Sequence, residues 1–212
     1  MILITEIRPY KRTKLFEVCS EEQMEFLATE KFLLQHEITR GETFDDEEFE
    51  TIRAKAHLLD GIRKATDILS RKDYSKKELV DKLVQKSVPH DAAVATVDFM
   101  ASKGYQDDYR YARRLAEVAA GSYGKRRAEQ ILYQHGIDRE TSAEVLDEVY
   151  SREDRETEKI DEILRKLTKG SALNDPAAKQ KIYAKLARRG YDSAAISSAL
   201  SRYEPDGKDE FL

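Results

Sequence analysis

The sequence predicts a mainly α-helical protein, an elongated tandem array of three three-helix modules preceded by a small β-hairpin and helix extension. Apolar side chains recur in three rows at fixed offsets, the second row 49 residues after the first and the third 54 residues after the second. Within each row the spacing follows the helical period, and a repeat of this size is typical of stacked supersecondary units. The three rows are Leu79, Leu83, Val88, Val97 and Met100; Ala128, Leu132, Ile137, Leu146 and Val149; and Ile182, Leu186, Tyr191, Leu200 and Tyr203.

The composition supports this fold class. Of the 212 residues, 37% are charged and 40% are hydrophobic, and there is no Trp, which suits many amphipathic helices better than a large β core. The net charge of −4 is uneven, because residues 1–60 hold 8 basic and 14 acidic side chains and the rest is close to neutral. A dedicated duplex-DNA binder is usually strongly basic, and this chain is not.

The N-terminal extension is predicted over residues 1–57. Short strands are expected at Ile2 to Ile4 and at Phe16 to Cys19, with a third from Met24 to Ala28. Thr29 is the expected cap of a helix that ends near Glu37. A second short helix is expected after Gly41. It is capped by Asp45 and has Phe44 and Phe49 as a hydrophobic staple.

Helix-capping residues mark the three predicted modules, which span residues 58–106, 107–152 and 153–212. In the first, a stripe from Leu58 to Leu69 is followed by a capping box at Ser75 and Glu78. In the other two modules, aspartates stand where helices should begin, and one of them is followed by proline. Small residues recur at the turn before each third helix. The aspartates are Asp138, Asp175 and Asp192, and the turn residues are Ser87, Gly136 and Gly190.

Catalytic, cofactor-binding and metal-ligating residues are not predicted. The four histidines (His36, His57, His90 and His135) have no metal-ligand spacing, and no phosphate-binding glycine motif occurs. Cys19 lies in a predicted strand and is expected to be a buried structural residue. The protein is therefore predicted not to be an enzyme.

The expected location is the cytoplasm. A single cysteine fits a reducing compartment, and the first residues are too soon charged for a signal peptide. No apolar run approaches the ~20 residues that span a bilayer, so no membrane association is expected.

Clusters of basic residues are the candidate binding sites: Arg113 and Arg114, Lys125 to Arg127, and Arg188 and Arg189. One interpretation is that they lie on solvated helix faces and pair with nearby acids. The other is that they contact an anionic partner, either a phosphate backbone or an acidic protein surface. The Lys125 to Arg127 cluster follows Gly124 at a predicted helix start, where backbone N–H groups also favour anions.

Several segments together resemble the RecX regulatory proteins, which are modulators of the bacterial recombinase RecA. The resemblance covers roughly residues 58–203, and the N-terminal extension is similar to that of longer members. Two positions depart from the family pattern: Gln106 replaces a usual apolar residue, and Lys125 replaces a common proline. The matching segments are Asp73-Tyr74-Ser75-Lys76-Lys77-Glu78-Leu79 with Leu83, Gly104-Tyr105-Gln106-Asp107-Asp108-Tyr109-Arg110-Tyr111-Ala112, Gly124-Lys125-Arg126-Arg127, and Leu186-Ala187-Arg188-Arg189-Gly190-Tyr191.

The resemblance implies a regulator, mainly an inhibitor, that binds RecA alone or along the RecA–single-stranded-DNA filament. It implies limits on filament extension, ATP hydrolysis, strand exchange and repressor co-cleavage, within DNA repair, recombination and the SOS response. A monomer with weak contact to single- or double-stranded DNA is expected. The basic residues expected to contact RecA or DNA are Lys125, Arg126, Arg127, Arg188, Arg189, Arg113 and Arg114.

Two other functions remain open from the sequence. A sequence-nonspecific DNA-binding module is one, because three-helix units resemble helix-turn-helix folds, and it predicts steeply salt-dependent binding to naked duplex. A helical adaptor for another protein partner is the other, and it predicts no effect on RecA.

Overall fold

The computed structural model describes residues 1–21, 23–151, 153–168 and 175–202, which form two compact units, residues 1–107 and 108–212. The first unit contains four strands and four helices, and the second contains six helices, counted over the described residues. The elements are β1 (Ile2–Pro9), β2 (Leu15–Ser20), β3 (Gln23–Thr29), α1 (Glu30–Gln35), β4 (Thr43–Phe44), α2 (Asp46–Leu69), α3 (Lys76–Gln85), α4 (His90–Ser102), α5 (Asp108–Ala120), α6 (Lys125–Gln134), α7 (Arg139–Tyr150), α8 (Glu153–Thr168), α9 (Pro176–Arg188) and α10 (Ser193–Ser201).

The N-terminal extension is an antiparallel sheet in the order β3-β2-β1-β4. The three expected strands are present, and a two-residue strand, β4, adds an edge that the sequence did not predict. One face of the sheet packs on α1 and on the first half of α2. Thr29 caps α1 through its side chain, and Phe44 and Phe49 pack with their ring centres 6.4 Å apart, as the staple predicted.

Helix α2 differs from the prediction. The short helix expected after Gly41 and the stripe beginning at Leu58 are one continuous helix of 24 residues. Its first half contributes Phe49 and Ile52 to the core beneath the sheet, and its second half contributes Ala65 and Ile68 to the core of the first module. Each of the two successive apolar stripes of α2 packs in a different core. In the sequence they were therefore interpreted as two separate helices. The predicted boundary between residues 57 and 58 lies within this helix.

The first module is a bundle of the second half of α2 with α3 and α4. The predicted capping box is present, since Ser75 Oγ accepts from the Glu78 backbone N–H and the Glu78 carboxylate accepts from the Ser75 N–H. At Gly61, helix α2 approaches α4 so closely that an added Cβ would overlap Oγ1 of the buried Thr96.

The second and third modules, α5 to α7 and α8 to α10, lie together in the second unit, and each has its own core. Asp138, Asp175 and Asp192 cap α7, α9 and α10 as predicted. The mainly α fold with three three-helix modules and a small N-terminal strand and helix extension is thus confirmed. The other predicted boundaries, 106/107 and 152/153, fall between helices.

The recurrent turn residues share a backbone conformation. Ser87, Gly136 and Gly190 have φ values of 61°, 77° and 82°, in the left-handed region that ends helices. The core rows are buried where the structure describes them, except that Ile182 is half-buried, and Tyr203 lies outside the described residues. No helix within the described ranges has the length and apolarity needed to cross a membrane.

Candidate interface for an anionic partner

The second and third modules meet where the turn after α9 packs on the start of α6. The Gly124 N–H donates to the Arg189 carbonyl at 3.0 Å. A Cβ added at Gly124 would overlap the Gly190 carbonyl oxygen, and one added at Gly190 would overlap the Arg127 backbone nitrogen. Backbone therefore packs directly on backbone. We call this contact the glycine junction, and it brings residues 125–127 and 188–189 of the predicted site together.

A carboxylate of the third module occupies the N-terminus of α6. The Lys125 N–H donates to Glu156 Oε1 of α8 at 2.8 Å. Helix N-termini favour negative charge, because their first N–H groups have no partner within the helix and the helix dipole is positive there. The sequence predicted an anion at this position, and in the structure an acidic side chain of the same chain supplies it.

Two of the three cations at the start of α6 face internal carboxylates. Lys125 Nζ lies 2.5 Å from Asp147 Oδ1 of α7, and Arg126 Nη2 lies 3.7 Å from Asp192 Oδ1 at the start of α10. The Arg126 side chain is 69% exposed. Exposed pairs of this kind contribute only ~0–1 kcal/mol, so Arg126 remains accessible to a partner, whereas Lys125 is more nearly neutralised.

Three arginines at the junction have no carboxylate partner among the described residues. Arg127 donates to the neutral amide oxygen of Gln130 at 2.9 Å, and no ion pair joins Arg188 or Arg189 to a described acid. Because the Arg127 backbone contacts Gly190, Arg127 lies beside the chain segment that carries Arg188 and Arg189. Arg188 also ends α9, where a cation interacts favourably with the helix dipole, which is a structural role of its own. We call Arg127, Arg188 and Arg189 the arginine surface.

Arg113 and Arg114 lie on the exposed side of α5. Arg113 pairs with Glu117 one turn later at 3.3 Å, and the Arg114 guanidinium lies 6.0 Å from the Tyr111 ring centre. The Arg113–Glu117 pair lies within one helix, and it is the kind of contact that the solvated-face interpretation describes.

The basic clusters do not occupy equivalent positions in their modules. Lys125 to Arg127 begin the second helix of their module, whereas Arg188 and Arg189 end the second helix of theirs. Their backbones meet because the helix start of one module packs on the turn of the next. Glu156 and the role of Gly124 were missed, since nothing in the local sequence indicates that they meet this turn.

Other chemistry is sparse in the described part of the chain. Cys19 is buried in β2 as predicted, and burial raises the pKa of its thiol, so the reactive thiolate is disfavoured. Across those residues, no group of three or more His, Cys, Asp or Glu side chains is placed to hold a metal ion.

Comparison with known proteins identifies the family. Models of the first, second and third three-helix domains of RecX match residues 62–100, 107–146 and 153–200. A regulatory protein RecX from Stenotrophomonas maltophilia (strain R551-3) is 34% identical over 146 residues, which cover 68% of this chain and 87% of that protein. This chain belongs to the RecX family. The expected family resemblance is therefore confirmed, and the chain is a RecX-type regulatory protein.

Other RecX proteins resemble the chain over more of its length. The regulatory protein RecX of Bacillus subtilis (strain 168) is 25% identical over 215 residues, covering 99% of this chain and 80% of that protein. A crystal structure of a regulatory protein RecX has the same fold, with a TM-score of 0.64 at 17% identity, and covers 95% of this chain and 100% of the other.

The structure also explains one departure from the RecX pattern. Gln106 is buried, and its Nε2 donates to the Tyr74 carbonyl at 3.2 Å, 32 residues earlier. A buried amide is tolerated when it forms hydrogen bonds, so this position ties the end of the first module to the loop before α3.

Proposed function

We propose that this RecX-family protein inhibits RecA by binding along the RecA–single-stranded-DNA filament. It limits filament extension, ATP hydrolysis, strand exchange and co-cleavage, and it acts as a cytoplasmic monomer in DNA repair, recombination and the SOS response. The protein itself catalyses no reaction, because RecA supplies the catalysis. Family membership supports regulation, and the arginine surface supports an anionic partner.

The observation that supports the contact site is the backbone contact between Arg127 and Gly190, which places Arg127 beside the chain segment that carries Arg188 and Arg189. Guanidinium groups bind carboxylates and phosphates through paired, planar hydrogen bonds. A surface without internal carboxylate partners keeps these donors available for another molecule. Acidic side chains of RecA, or phosphates held within the filament, have the chemistry that this surface recognises.

Repetition of modules supports binding to a filament. A filament presents the same protein surface many times, and linked weak contacts reinforce one another through effective concentration. Three modules on one chain are suited to engaging more than one protomer. Inhibition is therefore expected at fewer than one regulator per RecA protomer.

The first experiment measures single-stranded-DNA-dependent ATP hydrolysis by the cognate RecA while this protein is titrated below one per protomer. Inhibition in that range is the expected result. No inhibition of a saturated filament at moderate salt would contradict the proposal and favour an adaptor with another partner. Tight, steeply salt-dependent binding to naked duplex would instead favour a nonspecific DNA-binding module.

The contact site is tested with Arg188→Gln/Arg189→Gln. We expect a higher concentration for half-inhibition, because two guanidinium groups are removed from the arginine surface without inserting charge at a helix end. The matched control is Arg139→Gln/Lys181→Gln, which removes two exposed cations of the same unit that have no described carboxylate partner. Equal inhibition by both folded variants would remove Arg188 and Arg189 from the interface.

A further inference from the structure

Two ammonium groups of the first module converge on one aromatic ring. Lys72 Nζ, from the loop between α2 and α3, lies 4.5 Å from the Tyr74 ring centre, and Lys82 Nζ, from α3, lies 5.0 Å from it. The two charges are therefore no more than 9.5 Å apart. Among the described aromatic rings, Tyr74 alone has two cations on it. We call Lys72, Tyr74 and Lys82 the lysine surface.

The Tyr74 ring is held in place by the fold. It is half-buried and packs on the core of the first module, while its carbonyl accepts from the Gln106 amide. The next residue, Ser75, is fully buried and caps α3. Because the ring is fixed, the attraction between cations and its electron-rich face places the two lysines in a defined region.

No described carboxylate lies within ion-pair distance of Lys72 or Lys82. Elsewhere in the same unit, Arg63 and Lys64 of α2 both pair with Asp60 of the same helix, at 2.7 and 2.6 Å. Lys86, one helical turn after Lys82, also has no described carboxylate partner. Two like charges held near one ring repel each other, and an anion placed between them would relieve that repulsion.

We propose that the lysine surface binds the phosphate groups of a single-stranded nucleic acid. The lysine ammonium is a compact point charge that binds phosphate from many directions, whereas planar recognition of carboxylates favours arginine. The unpaired cations here are all lysines, in contrast to the arginine surface of the other unit. The ring acts by holding the ammonium groups and is not a stacking platform for a base, because the lysines lie over it.

A single strand fits this surface better than a duplex. The patch is small, and residues 1–60 of the same unit carry 8 basic and 14 acidic side chains. A duplex is stiff over ~150 base pairs and cannot follow a small patch away from an acidic neighbourhood, whereas a flexible strand can. Contact with two or three successive phosphates is expected.

The test measures binding of the full chain to fluorescein-labelled oligothymidine by fluorescence anisotropy over a range of salt concentrations, with no RecA present. Its outcome is thus independent of the proposed regulation of RecA. In Lys72→Ala/Lys82→Ala we expect weaker binding, and a slope of log affinity against log salt that is shallower by about 1.4, the value for two lost single-strand phosphate contacts. The charge-matched control Lys14→Ala/Lys55→Ala, on exposed sites of the same unit, keeps the original slope.

Substitutions of the ring test its role. Tyr74→Phe keeps the aromatic face and should bind as the unaltered chain does, whereas Tyr74→Leu keeps apolar bulk and should bind more weakly. If Tyr74→Leu does not fold, Lys72→Ala/Lys82→Ala still tests whether the lysine surface binds the oligonucleotide.

Four outcomes would overturn the proposal. The first is no measurable oligothymidine binding by the unaltered chain at low salt. The second is an equal loss of affinity in the lysine and control variants. The third is an equal affinity for a labelled duplex that falls by the same factor in Lys72→Ala/Lys82→Ala. The fourth is unchanged oligothymidine binding by Lys72→Ala/Lys82→Ala, and if that variant also loses inhibition of RecA, the surface is assigned to a protein contact instead.

Discussion

Folded pieces of this chain are joined in two different ways. The N-terminal sheet and the first module share α2, which carries Phe49 and Ile52 for one core and Ala65 and Ile68 for the other. The second and third modules instead meet at the glycine junction, where backbone packs on backbone and Glu156 reaches the start of α6. One join is a continuous covalent helix, and the other is a noncovalent contact.

The difference determines what each join tolerates. A shared helix is maintained by its own hydrogen bonds and by two cores, so one side-chain change leaves it continuous. The glycine junction depends on the absence of two Cβ atoms, because a single methyl group at either glycine would overlap backbone atoms and force them to shift. The arginines proposed to contact RecA or the filament lie at the join that is easier to disturb.

Gly190→Ala should have the largest effect on stability. A left-handed backbone costs ~1–2 kcal/mol for a residue with a Cβ, and here the Cβ would also overlap the Arg127 backbone. We expect a loss of more than about 2 kcal/mol in the free energy of unfolding of the second unit, since the overlap adds to the conformational cost. Urea unfolding followed by circular dichroism measures it.

The matched control is Gly104→Ala. Gly104 has a similar φ of 73°, but a Cβ there would meet nothing within 4 Å. The loss of stability in Gly104→Ala is therefore conformational alone. The additional loss in Gly190→Ala measures the contribution of the backbone contact at the glycine junction. Equal losses at the two glycines would show that the backbone contact contributes nothing to stability.

Gly61→Ala tests the shared helix and should have a smaller effect. Alanine is intrinsically better than glycine in a helix by ~1 kcal/mol, but the new Cβ would overlap Thr96 Oγ1. We expect a net loss of about 1–2 kcal/mol, the usual cost of an overpacked core, with α2 remaining helical. Thermal unfolding monitored by circular dichroism gives both the loss of stability and the helical content.

Thr96→Ala should partly rescue this variant, because it removes the overlapping oxygen and leaves the Thr96 Cβ position 3.2 Å away. The double variant should then be more stable than the sum of the two single changes predicts. If the stability losses of the two single variants are strictly additive, α2 and α4 can move apart at no cost. Their close approach then does not require Gly61.

Much of each module was predictable because its signals are local. Asp138, Asp192 and Ser75 were identified as caps from their own helices, and the residues at left-handed turns were recognised as small. The apolar rows predicted the cores because helical periodicity repeats within a few residues. These features depend on interactions between positions close together in sequence.

The joins between the folded pieces were not predictable, because they depend on positions that are far apart in sequence. The continuity of α2 was missed because its two apolar stripes face different cores. Gly124 and Glu156 meet residues that lie 66 and 31 positions away, Gly190 and Lys125 respectively, and no local pattern reveals such pairs. The basic clusters were found in sequence, but which of them keep internal partners depends on these long-range contacts.

The smallest expected effect concerns the charge on Asp192, which caps α10 and also faces Arg126 across the junction at 3.7 Å. Asn is as good an N-cap as Asp, so Asp192→Asn isolates the charge, and Asp138→Asn is the control for a cap whose carboxylate bonds only Thr141 of its own helix. Both side chains of the Arg126 pair are exposed, so the excess loss at Asp192 should be about 0.3 kcal/mol at low salt and should vanish at high salt. A larger excess that persists at high salt would mean that the pair contributes to the junction more than an exposed ion pair does.

The same two variants give a pH dependence with a defined sign. Backbone N–H groups of Ala194 and Ala195 hold the pKa of Asp192 below its ordinary value of 3.8, and Thr141 does the same for the pKa of Asp138. Because each folded-state pKa lies below the unfolded value, the ionised cap contributes its full stability above about pH 4 and loses it as the pH falls through the lowered pKa. The stability difference between the unaltered chain and either Asn variant should thus be constant near neutral pH and shrink below about pH 4, measured by urea unfolding across that range. A difference that grows on acidification would show that the neutral caps, and not the ionised ones, favour the folded state.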